Sequence, residues 1–162
     1  MHLDEVIRNL PALFGALFLA ILFIQSGLDK VFDWKGNLGW LTGHFEKTFV
    51  AGMVPIMLGT ITAGELATGF LSAAGIIYFL AVGSLGVISW ASVIGAASIS
   101  ALFFGQRIAK DYPGAAVLVP YFLLTLAVMW LTGPSAGRSC PESNSDGQRA
   151  RRGRRPPGGG RR

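Results

Sequence analysis

Charged side chains are missing from three long stretches of this chain, residues 9–28, 66–106 and 112–137. That gap constrains the fold more than any other feature of the sequence. A helix crossing the hydrocarbon core needs about 20 mostly apolar residues, so these stretches supply one span, more than one span and one span. Lipid offers no partner to exposed backbone N–H and C=O groups, which leaves helices and closed barrels as the spanning structures. The runs lack the period-2 alternation of a barrel strand. Only 14% of the 162 residues are charged, against roughly a quarter in a soluble domain. The chain is therefore expected to be all-α: a polytopic membrane protein whose residues 1–132 form a bundle of four transmembrane helices, at about 10–28, 54–75, 82–105 and 115–131.

The ends of the chain differ from this body. Residues 1–8 carry Asp4 and Glu5 beside Arg8, and no small-residue cleavage site follows the first apolar run, so that run is read as a retained span. Pro11 suits a first helical turn, where its missing N–H is no loss. Eight of the ten arginines lie at or beyond Arg138. Residues 133–162 are rich in Gly, Pro, Ser and Arg, a composition that buries too little apolar surface to fold alone. They are expected to form a disordered basic tail. Arginine runs attract anionic lipid or nucleic acid, but this one has no interleaved aromatics, and no nucleic-acid partner is expected. Arg8 and the tail favour cytoplasmic termini, against the pull of Lys30, Lys35, Lys47, Arg107 and Lys110.

The boundary between the second and third spans has two candidate turns, 72–75 and 82–84, both small and Gly-containing. Either way four spans result. The end of the first, the start of the second, the end of the third and the start of the fourth then share one membrane side. Gln25, Ser26, Asp29, Lys30, Trp34, His44, Gln106, Arg107, Lys110, Asp111 and Tyr112 gather there. Residues 29–51, with Trp34, Trp40, Phe45 and Phe49 among lysines, read as an interfacial loop with a short amphipathic helix.

Glu65 is the only charge between Lys47 and Arg107. A carboxylate at mid-membrane costs about 2.5–3.5 kcal/mol on insertion scales, so it should face the bundle interior and find a partner. It lies roughly 16 Å along the second span if that helix starts at Val54, and roughly 10 Å if it starts at Leu58. In the first span Gln25 and Asp29 share a face, as do Ser26 and Lys30. The expected arrangement is a buried polar pocket of Glu65 with Gln25, Ser26 and Lys30. A purely structural role in helix packing is the competing reading for Glu65, and a boundary lysine snorkelling to the interface is the competing reading for Lys30. Arg107 and Lys110 read as interface anchors or as contacts for an anionic ligand or head group.

Several chemistries are excluded. The single cysteine, Cys140, leaves no CxxC pair and no cysteine-based metal site. Neither histidine, His2 or His44, falls in a span, which rules out a bis-histidine haem and a histidine-rich metal centre. No cofactor is expected to be held covalently or through metal ligands. His44 reads as an ordinary loop residue.

The first span and its ending, Phe18-Leu19-Ala20-Ile21-Leu22-Phe23-Ile24-Gln25-Ser26-Gly27-Leu28-Asp29-Lys30, resemble the DoxX family of small four-span bacterial membrane proteins, whose first apolar run ends in a small residue, Gly, an apolar residue and Lys. Gly64-Glu65-Leu66-Ala67-Thr68-Gly69 is similar to the Glu-plus-Gly pattern of that family's second helix, and residues 105–112 look like a DoxX-like subgroup. The likeness covers about residues 10–132 and carries over to Gly27, Lys30, Glu65 and Gly69; residues from Ser135 onward depart from it. The resemblance implies a multi-pass protein of the bacterial cytoplasmic membrane. It also implies the membrane subunit of a quinone-linked oxidoreductase or oxidative-stress complex, with a quinone as ligand and a soluble or membrane oxidoreductase subunit as partner. A non-catalytic scaffold that holds a soluble partner, and a small transporter, are the alternatives.

Overall fold

A computed structural model describes residues 3–133; the expectation of a basic tail concerns residues almost all outside that range. The described residues are almost entirely helical: α1 (Leu3–Phe32), α2 (Trp34–Phe45), a single 3-10 turn (Ala51–Met53), α3 (Val54–Val82), α4 (Gly86–Ile108) and α5 (Tyr112–Thr132). Helices α1, α3, α4 and α5 are long and apolar enough to cross a membrane. They wind up and down as a four-helix bundle, with α3 packed between α1 and α4, and with α5 against α4 and more loosely against α1. The short α2 lies across α3 and α1 at one end.

The outer surface argues for lipid. Phe14, Phe70, Ile77, Val117 and Leu123 are all more than half exposed, large apolar side chains of a kind soluble monomers rarely present in number to water. Trp40 and Tyr112 are exposed at one end of the bundle, and Trp90 and Trp130 at the other, as expected of aromatic belts at two interfaces. This is a multi-pass membrane protein.

Inside, side-chain size sets the packing. The core gathers Ala16, Leu19, Phe23, Ile88, Ile99 and Val128. Helices α1 and α3 approach closely through two glycines. A Cβ at Gly69 would lie 2.7 Å from the backbone nitrogen of Ile24, and one at Gly27 would lie 2.6 Å from Leu66 Cδ2. Close backbone approach is how helices associate in lipid, where water exclusion gives no drive. These two contacts fix an antiparallel register that sets Ser26 and Lys30 level with Glu65.

Three boundaries differ from the sequence reading. The candidate turn at 72–75 is helical: Ser72 and Gly75 are buried, Gly75 lies against Ile88, and α3 continues to Val82. Gly83 ends it at φ 81°, the left-handed cap that glycine adopts without a Cβ clash. Helix α4 therefore begins at Gly86, not at 82. Helix α1 starts at Leu3, so Pro11 sits inside it rather than in its first turn, at an exposed position. The polar connector between α4 and α5 shrinks to residues 109–111. Lys110 takes φ 61°, its N–H donates to Arg107 O (3.2 Å), and Asp111 N–H donates to Gln106 O (2.9 Å). That is a Schellman ending with lysine in the place usually held by glycine. Asp111 then caps α5, its Oδ1 accepting from Gly114 N at 3.0 Å, a common way to satisfy an orphan N–H of a first turn.

Candidate functional site

Helix α3 places a column of small polar side chains on its inner face: Thr62, Glu65, Thr68 and Ser72, all buried. The threonines satisfy themselves, Thr62 Oγ1 donating to Leu58 O and Thr68 Oγ1 to Gly64 O, at 2.7 and 2.8 Å. This back-bonding to the preceding turn is the usual resource of a hydroxyl within a helix. Glu65 has no such local resource and is 2% exposed.

Its partners come from the last two turns of α1. Ser26 Oγ donates to Glu65 Oε1 at 3.1 Å. Lys30 Nζ donates to the same oxygen at 3.1 Å, to Ser26 Oγ at 2.8 Å and to Ser26 O at 3.2 Å. The three N–H bonds of the ammonium are thus all engaged. Glu65 Oε2 completes the ion pair at 2.9 Å from Nζ. Held by that charge contact, it receives no further hydrogen bond among the described residues. The two charges cancel, and neither is left alone in low dielectric, where removing one partner of a buried pair costs about 3–5 kcal/mol.

Glu65 lies this deep although α3 starts at Val54, because the helix start is not the floor of the site. Helix α1 overshoots to Phe32 and α2 folds back across the opening, so Lys30 reaches Glu65 from its own helix.

The pair lines a cavity of about 310 Å³, at the lower end of the ~300–1,000 Å³ typical of small-molecule pockets. Its walls are apolar: Leu41, Val54, Met57, Leu58, Ile61 and Leu118. Polar groups punctuate them at Ser26, Lys30, Asn37, His44, Glu65 and Gln106, and Trp40 stands at the rim. Trp40 stacks on His44 with ring centroids 4.7 Å apart. His44 Nε2 is 3.9 Å from Asp111 Oδ2, beyond hydrogen-bonding range. Like Glu65 Oε2, His44 Nε2 and Gln106 Oε1 are buried and have no hydrogen-bond partner among the described residues.

Of the residues singled out from sequence, Ser26, Lys30 and Glu65 come together. Gln25 does not join them: it is exposed, in a shallow outer groove with Ile21, Ile24, Leu28, Asp29 and Phe32. The reason is helical pitch. Gly27, Phe23 and Leu19 turn inward, and Gln25, two residues from Gly27, points about 200° away from it. Arg107 and Lys110 are exposed and outside the cavity; the Arg107 guanidinium lies over the Tyr112 ring, 4.7 Å from its centroid.

The sequence reading missed the α2 contribution. Asn37, Trp40, Leu41 and His44 fall at i, i+3, i+4 and i+7, one stripe of a helix, and this stripe faces the cavity. Helix α2 begins where Asp33 Oδ1 accepts from Gly36 N at 3.2 Å, and an Asp ahead of such a stripe was the available signal. Among the described residues no three His, Cys, Asp or Glu side chains converge as a metal site would require.

Set against family models, curated proteins and solved structures, the chain matches none.

Proposed function

We propose that the chain is the membrane subunit of a quinone-linked oxidoreductase and that the Lys30–Glu65 cavity is where a quinone-class ring binds. The observation that carries this reading is an apolar-walled cavity with a neutralised buried ion pair on its wall and three buried polar atoms whose hydrogen-bonding capacity is unused. A lipid-soluble ring with oxygens on opposite edges fits that chemistry: apolar walls hold its body and a few convergent polar groups fix its orientation. The electrons exchanged with the ring belong to a partner oxidoreductase. The exposed cations Lys35, Lys47, Arg107 and Lys110 suit a docking face on the same side. The DoxX resemblance at Gly27, Lys30, Glu65 and Gly69 points the same way and to a bacterial cytoplasmic membrane; with cytoplasmic termini, the cavity opens toward the opposite face.

A direct test is ring binding by the purified full chain in detergent, measured by calorimetry with a tail-less methyl-substituted benzoquinone and its reduced form. Saturable binding that weakens at least tenfold in Met57→Trp, which fills the cavity from its wall, is expected. If neither form of the ring binds the native chain, the reading fails. A scaffold holding a soluble partner would instead recover that partner equally well with Met57→Trp.

A further inference from the structure

The hydrogen-bond inventory of the cavity is lopsided. Lys30 has three N–H donors, and Ser26 O, Ser26 Oγ and Glu65 Oε1 take all of them. The Ser26 hydroxyl proton goes to Glu65 Oε1. Asn37 Nδ2 donates to Asp33 O at 2.8 Å. What remains is acceptor capacity among the described residues: Glu65 Oε2 meets the ammonium at 2.9 Å but accepts no directed hydrogen bond, Gln106 Oε1 is buried without a partner, and His44 Nε2 donates or accepts according to tautomer. Glu65 is 2% exposed, so bulk water does not freely supply a further donor, and a buried acceptor such as Gln106 Oε1 is destabilising while it lacks one. A ligand satisfies this site by donating.

Charge narrows the class further. Lys30 already neutralises Glu65 at 2.9 Å, and a cationic ligand would bring a second positive charge beside the ammonium in low dielectric. An anion would face the Glu65 carboxylate, whose countercharge is already taken up by that contact. A neutral hydroxyl donor meets neither penalty.

We propose that this cavity takes the hydroxyl-bearing, reduced form of a ring ligand in preference to its carbonyl form, one O–H donating to Glu65 Oε2 and the second to the Gln106–His44 side. The proposal rests on the quinone reading and adds which redox form the site holds. The oxidised ring presents only acceptors, so it would set carbonyl oxygen against Glu65 Oε2 and Gln106 Oε1 with no proton between them. Preferential binding of the reduced form raises the midpoint of the bound couple, by about 30 mV for each tenfold preference of a two-electron couple.

The test uses three versions of one methyl-substituted ring: the quinone, the quinol and the quinol's dimethyl ether, which keeps the ring and both oxygens, adds two methyl groups and loses both donors. Each is titrated anaerobically into the full chain in detergent and followed by calorimetry. The expected result is quinol binding at least tenfold tighter than the quinone or the ether, with the preference reduced severalfold in Gln106→Leu. Gln106 stands outside the ion pair, so this variant leaves the Lys30–Glu65 contact intact. Equal binding of all three, or tighter quinone binding, overturns the donor assignment while leaving the quinone cavity standing. Binding of none overturns both.

Discussion

Replacing Lys30 by methionine probes how the bundle tolerates a carboxylate in its interior. Lys30→Met keeps the apolar stem but removes the ammonium from its contacts with Glu65 Oε1, Glu65 Oε2, Ser26 Oγ and Ser26 O. Glu65 remains 2% exposed with one hydrogen bond, from Ser26. Stranding one member of a buried pair costs about 3–5 kcal/mol. Lys30 is itself 20% exposed in its side chain, so part of its charge is solvated in the native chain, and the lower end, about 3 kcal/mol, is the figure to expect. The paired variant Lys30→Met with Glu65→Leu removes both charges together. Replacing a whole buried pair by apolar groups is often close to neutral, so the double variant should lose less than about 1 kcal/mol. Unfolding free energies from denaturing-detergent titration in mixed micelles would give the four corners of the cycle. A coupling of about 2 kcal/mol or more is expected; single and double variants that lose equal stability, or Lys30→Met within about 0.5 kcal/mol of the parent, would refute the reasoning.

Four further substitutions follow from the packing. Gly69→Leu should destabilise the bundle by about 1–3 kcal/mol or more, since even a Cβ there meets the Ile24 backbone at 2.7 Å, whereas Gly39→Ala, with nothing within 4 Å, should be nearly silent in the same titration. Gln25→Leu, on the outer face of α1, should leave both stability and ring binding unchanged within error, in contrast to any change at Glu65. Lys110→Gly should stabilise by about 0.5–1 kcal/mol, because it relieves a left-handed non-glycine residue costing about 1–2 kcal/mol and loses part of that gain to the freer unfolded chain; a loss of stability would mean that the lysine side chain contributes more than its backbone costs.

The bundle was legible because its signal is global. Three uncharged runs and one isolated carboxylate are enough to count spans, assign sides and turn Glu65 inward, and the i, i+4 spacing of Ser26 and Lys30 is enough to pair them with it. Facing was harder. Gln25 and Ser26 are adjacent and both polar, and only the close approach of Gly27 and Gly69 decides which of them turns toward α3. The turn between α3 and α4 was ambiguous because Ser and Gly serve two ends in a membrane chain: Ser72 and Gly75 let helices touch, and only Gly83 needs the conformation that ends a helix. The α2 stripe was hidden for a different reason. Asn37, Trp40 and His44 look like interfacial residues wherever they point, and what makes them cavity residues is the fold-back of α2 over α3.

The most direct measurement of the central claim is where a ring ligand sits. A photoreactive azido-substituted quinol, irradiated with the full chain in detergent and mapped by mass spectrometry, should label the cavity residues around Met57, Leu58, Trp40 and His44, with labelling lost when excess unlabelled quinol is added. Labelling spread over the lipid-facing Phe70, Ile77, Val117 and Leu123, indifferent to the competitor, would contradict it.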